Sequence, residues 1–265
     1  MAREETTRAR FGSEVEQPGD APGVQDAIGS ASAALLAAAE DPSLGEDLAL
    51  TLLRRRDLVP QILERVSKNA AAIKHRSVKV AVVEHPATPR HVALALLRHL
   101  FPFELMQISL APAVSPDIKA AADQALIGRL EAVSLGERIT LARRASGNVA
   151  AALLADSELR VIEATLENPR LTEALICKVL ARIGAPAALV EAVCRHPKWS
   201  AGRDVRATLL RSEHMPAELA MEFSRSVQVT ALRDILHVSR LPEELKMRLE
   251  KDLAMRTVKR ERSGG

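Results

Sequence analysis

The stretch Val82-Val83-Glu84-His85-Pro86-Ala87-Thr88-Pro89-Arg90-His91-Val92-Ala93-Leu94-Ala95-Leu96-Leu97-Arg98 reads as the end of one helix, a turn pinned by two prolines, and the start of a second helix. Apolar residues in the second half fall at three- and four-residue steps (Val92, Leu96, Leu97), which lays one buried stripe along a helix. The pattern recurs. Glu40-Asp41-Pro42 through Arg54 lies over Glu84-His85-Pro86 through Arg98 almost residue for residue. Glu167-Asn168-Pro169-Arg170-Leu171-Thr172 and Arg195-His196-Pro197-Lys198-Trp199-Ser200 are further copies. Weaker copies at Ser115-Pro116, Met215-Pro216 and Leu241-Pro242 keep only the helix-start signal, and Gly147-Asn148-Val149 marks a degenerate one.

Local chemistry explains the phrase. Proline at the first helical position has a suitable φ and lacks an N–H that would go unpaired there. The residue before it is pushed out of helical geometry, which closes the preceding helix. Thr88, Ser115, Thr172 and Ser200 stand where a hydroxyl caps the helix that follows. Second openings at Val59-Pro60, Phe101-Pro102 and Ala185-Pro186 fall between these starts. The predicted unit is therefore two short antiparallel helices. Pro89 to Pro116 is 27 residues and Thr172 to Ser200 is 28, while the interval from Gly45 to Pro89 is much longer.

Composition agrees with helices. Of 265 residues, 47% are apolar, yet there are only four Phe, one Trp and no Tyr. Apolar mass made of Ala, Leu and Val favours helices that approach closely through small side chains. No run alternates strictly between apolar and polar, so no strand is expected. A short helix pair cannot bury its apolar face alone and must stack on its neighbours. The expected fold is all-α, a right-handed α-solenoid of short antiparallel helix pairs. From Ala31 to Leu253 the chain resembles the HEAT/armadillo class of helical repeats. Its turns, of the form apolar-Ala-x-[Asn/His]-Pro-x-Thr-Pro, are also similar to the leucine-rich-repeat-variant family of bacteria.

Three segments are expected. Residues 1–23 are polar and broken by Pro18, Gly19, Pro22 and Gly23, which predicts disorder. Residues 24–255 form one repeat domain, and residues 256–265 read as a basic flexible tail. The N-terminus has no secretory pattern, and no apolar run is long enough to span a bilayer. Cys177 and Cys194 are too few and too far apart for a disulfide framework or a zinc knuckle, so they read as small hydrophobes. A reduced bacterial cytoplasm is the expected setting.

The seven histidines raise the question of a metal. His85 and His196 precede the repeat proline where other copies carry Asp41 and Asn168, and all three residue types bond nearby backbone at turns. The His-Glu order of helical-repeat di-iron enzymes is reversed in Glu84-His85 and Glu213-His214. His91 and His99 stand two helical turns apart, too far for one ion. No cofactor or metal is expected. Phosphate loops, nucleophile elbows and zinc-protease motifs are absent, and low aromatic content argues against a small-molecule pocket.

What remains are candidate partner-binding residues. Trp199, with Lys198, Arg203 and Arg206 nearby, reads first as a plug between units and second as an anchor for a partner. Arg54, Arg98, Arg182 and Arg211 fall near the ends of repeated helices, where they complement the helix dipole and, stacked, would form a basic ridge. With a net charge of only +3, the chain lacks the strong footprint of a nucleic-acid binder. The expectation is a non-enzymatic scaffold that binds a protein or peptide, the alternative being a nucleic-acid binder using the arginine ridge.

Overall fold

Proline punctuation sets many helix starts in the computed structural model, which describes the backbone of residues 32–263 and side chains of residues 32–257. The predicted disorder of residues 1–23 lies outside the described residues. Among those described, the chain is all-helical, without a strand.

The helices fall into two alternating series. The first comprises α1 (32–40), α3 (Pro60–Lys68), α6 (Arg90–Leu97), α8 (Pro116–Ile127), α10 (Gly147–Leu153), α12 (Glu173–Leu180), α15 (Arg203–Leu209) and α17 (Val229–His237). The second comprises α2 (Glu46–Leu53), α5 (Arg76–Glu84), α7 (Pro102–Leu110), α9 (Leu135–Arg144), α11 (Leu159–Leu166), α13 (Ala187–Arg195), α16 (Ala217–Ser226) and α18 (Glu243–Ser263). Two short helices, α4 (Ala70–Ile73) and α14 (Pro197–Ser200), lie in connections.

Like packs on like. In the first series α6 contacts α8, α8 contacts α10, α10 contacts α12, and α12 contacts α15. In the second, α2 contacts α5, α5 contacts α7, α9 contacts α11, and α11 contacts α13. Leucine, valine and alanine fill the space between the series. One apolar cluster runs from Ala39 to Ala164 and another from Ala150 to Leu253, so α10 and α11 contribute to both.

Long-range polar contacts repeat at one unit's length. Asn69 donates to the Ala39 and Asp41 carbonyls, 30 and 28 residues back. Arg129 donates to the Leu100 and Arg98 carbonyls, 29 and 31 back, and Asn168 to those of Ala142 and Ala145, 26 and 23 back. The carbonyls at a helix C-terminus have no partner in their own helix. Here a side chain from the next unit supplies one.

Helix starts mostly follow the expected chemistry. Pro60, Pro102 and Pro116 occupy the first helical position, and Thr172 accepts the Leu175 N–H at 3.4 Å. Thr88 and Ser200 do not cap. Pro89 takes the cap position of α6 while the Thr88 hydroxyl turns back to the Val82 carbonyl. Ser200 is absorbed into α14, and Gly202 precedes α15. Ser115 holds the cap position of α8 but gives its hydroxyl to Asp117 Oδ1. At the C-terminus α18 continues to Ser263, and Arg256 donates to the Ser224 carbonyl at 3.1 Å while pairing with Asp252 at 2.7 Å.

Candidate partner-binding site

The conspicuous turn residues are structural. His85 is 7% exposed; its Nε2 lies 2.8 Å from the Arg55 carbonyl and its Nδ1 accepts the Ala87 N–H at 3.2 Å, which places the ring proton on Nε2. Asn168, 1% exposed, does the same with an amide: Nδ2 donates to the unit behind and Oδ1 accepts the Arg170 N–H at 2.8 Å. Sequence reasoning found the local half of this role and missed the half that reaches into the neighbouring unit. His196 faces Glu167 at 3.1 Å. Among the described residues, no group of three or more His, Cys, Asp or Glu side chains converges as a metal site. Burial pushes the Cys194 thiol up to about 12 and raises Cys177 as well, so neither thiol ionises readily.

Trp199 is a wedge. It is 5% exposed, and its indole N–H donates to the Leu166 carbonyl at 2.8 Å. Lys198 lies over its face, 4.0 Å from the ring centroid. Arg206 is engaged internally too, donating to the Ser200 carbonyl at 2.6 Å with its guanidinium 4.9 Å from the Phe223 ring. The Trp199 N–H and the Arg206 Nε–H are thus engaged inside the chain. Arg203 is exposed.

The predicted arginine ridge separates into two groups. Arg98, Arg182 and Arg211 follow first-series helices, and all three are exposed. Their neighbours include two arginines that the sequence pattern did not single out. Arg129 holds the Arg98 carbonyl, and Arg240 holds those of Arg211 (through its backbone N–H, 3.0 Å) and Arg182 (3.4 Å). Acidic residues interrupt this line: Arg211 shares a hollow of about 510 Å³ with Glu173 and Asp204. Arg54 belongs elsewhere. It ends α2, a second-series helix, beside the end of α5.

There it borders a groove of about 1130 Å³, formed by the C-terminal halves of α2 and α5 and by one face of α7. Leu50, Leu53, Phe103, Met106 and Leu110 line it, with Arg54, Arg56 and Arg144 among its polar residues. The three arginines are exposed, and none has an ion-pair partner among the described residues. Arg55, between two of them, bonds Asp57 at 2.7 and 3.1 Å. A second groove of about 470 Å³ lies farther along the same series, between α9, α11 and α13. It carries Arg143, Arg160 and Arg195, but also Glu163 and Glu167.

Compared with family models, curated proteins and solved structures, the chain matches none. No helix among the described residues is long and apolar enough to cross a membrane.

Proposed function

We propose that the chain is a non-enzymatic scaffold of the HEAT/armadillo kind: a right-handed α-solenoid that binds a protein or peptide along its second-series helices, in a cytoplasmic, bacterial setting. One observation carries the reading. The second-series helices leave an apolar-lined groove of about 1130 Å³ bordered by arginines without an ion-pair partner among the described residues. Contacts between like helices and polar bonds that reach back one unit support the solenoid, because each pair then leans chiefly on its neighbours. The groove is larger than the roughly 300–1,000 Å³ typical of a small-molecule site, which favours a peptide.

Selection of a random peptide library on the immobilised full chain tests this. The expected result is enrichment of peptides that compete with one another and lose affinity when the second-series grooves are altered. A chain that enriches no peptide, yet binds DNA or RNA with an affinity that falls steeply with salt, would replace this reading with nucleic-acid recognition.

A further inference from the structure

We infer that the groove bordered by Arg54, Arg56 and Arg144 takes a short amphipathic, acidic segment of a partner protein. The inference rests on the scaffold reading and narrows it to one site and one partner chemistry. Apolar side chains of the segment lie on Leu50, Phe103, Met106 and Leu110, and its carboxylates meet the three guanidiniums.

What marks this groove is unpaired charge beside an apolar floor. Several arginines elsewhere pair within the chain, Arg76 with Glu104 at 2.6 Å, Arg90 with Asp117 at 2.8 Å and Arg256 with Asp252 at 2.7 Å; among the described residues Arg98, Arg182 and Arg211 do not, but they border no such apolar groove. Around this groove, among the described residues, Arg55 is paired with Asp57, and Asp57 does not reach Arg54 or Arg56. Glu84, the carboxylate in the lining, accepts the Gln107 amide at 2.7 Å and pairs with no arginine. Three unpaired guanidiniums beside an apolar floor match a ligand with both apolar groups and carboxylates, and the planar fork of arginine holds a carboxylate through two parallel bonds. A nucleic acid fits less well. Phe103 and the buried His85 are the two rings in the lining, so there is no exposed row of rings on which successive bases would stack.

The test uses the full chain and fluorescein-labelled synthetic peptides, read by anisotropy at low salt. One probe is built of Leu and Glu on an amphipathic helical pattern, a second has Lys in place of Glu, and a third has Glu without Leu. The Leu/Glu probe is expected to bind and the other two to bind far more weakly. Joint replacement Arg54→Glu, Arg56→Glu and Arg144→Glu should weaken that binding by about tenfold or more, since each lost charge-assisted bond matters. The same reversal at Arg98, Arg182 and Arg211 changes net charge equally and should leave affinity nearly unchanged. Circular dichroism checks that helix content survives. Should the groove triple variant misfold, Gln107→Glu adds a carboxylate at an exposed lining position and should weaken the Leu/Glu probe several-fold. Equal binding of the Leu/Lys probe, equal loss from the two triple reversals, or no loss from the groove changes would overturn the inference. If library selection yields groove-binding peptides that are not acidic, the scaffold reading stands and this one falls. If no peptide of any composition binds, both fall.

Discussion

Two grooves lie on the same helix series, each with three arginines, and they differ in the carboxylates and apolar side chains that share the lining. In the groove formed by α9, α11 and α13, Arg143, Arg160 and Arg195 share the lining with Glu163 and Glu167. Arg195 reaches Glu191 at 3.0 Å, and Glu167 faces His196. In the groove formed by α2, α5 and α7, the arginines have no ion pair among the described residues, and the floor is richer in large apolar side chains. Arginine count does not distinguish the two, and Arg143 and Arg160 also lack an ion pair among the described residues; the difference lies in the lining, where two carboxylates share the smaller groove and one, Glu84, shares the larger.

The comparison also exposes how each groove wall is held, and substitutions there should separate the two. Trp199 braces the smaller groove, since its N–H holds the carbonyl of Leu166, a lining residue. Trp199→Ala should cost about 3–5 kcal/mol, read as a lower urea midpoint, because it opens a large cavity and orphans that carbonyl. Asn168→Ala comes next, at about 3 kcal/mol. It removes two donated bonds and one accepted bond at a buried site, where each unpaired backbone group costs roughly 1–3 kcal/mol and relaxation recovers part. Gly147→Val should cost about 2 kcal/mol through overpacking, because a Cβ at Gly147 would sit 2.8 Å from the Arg170 carbonyl oxygen.

On the larger groove, His85→Ala should cost about 1–2 kcal/mol by freeing the Arg55 carbonyl and the Ala87 N–H. It should also weaken Leu/Glu probe binding by unfixing the segment that carries Arg54 and Arg56. His85→Asn should recover most of the stability if His and Asn do the same work at this turn. The smallest effect sharpens the comparison most. Joint replacement Glu163→Gln and Glu167→Gln leaves the smaller groove with uncompensated arginines, and it should gain weak affinity for the acidic probe by anisotropy.

Much of the fold was legible because its signals are local. Pro60, Pro102 and Pro116 start helices wherever they stand, and the apolar stripe of Val92, Leu96 and Leu97 is buried as its spacing predicts. Register was not legible. The stretches ending in Arg54 and Arg98 match in sequence, but one leads from a first-series helix to a second and the other from a second to a first. A proline followed by leucines closes and reopens a helix at either turn, so the pattern carries no information on which turn it is. Arg54 was therefore placed with Arg98 on grounds that the packing does not respect. Arg144 illustrates the complementary limit. In sequence it is half of the charge run Arg143-Arg144; it becomes the groove partner of Arg54 only because the fold brings the end of α9 to the same groove. Likewise, the bonds from His85 to Arg55 and from Asn168 to Ala142 depend on stacking about one unit apart, which no local window contains.

The most direct test of the central claim is to ask where an acidic amphipathic peptide lands. A Leu/Glu probe carrying a photoreactive leucine, crosslinked to the full chain and mapped by mass spectrometry, should mark residues of the larger groove such as Leu50, Phe103, Met106 and Leu110. Crosslinks concentrated around Ile139, Leu159 and Ala192 of the smaller groove, or beside Arg98, Arg182 and Arg211, would contradict it.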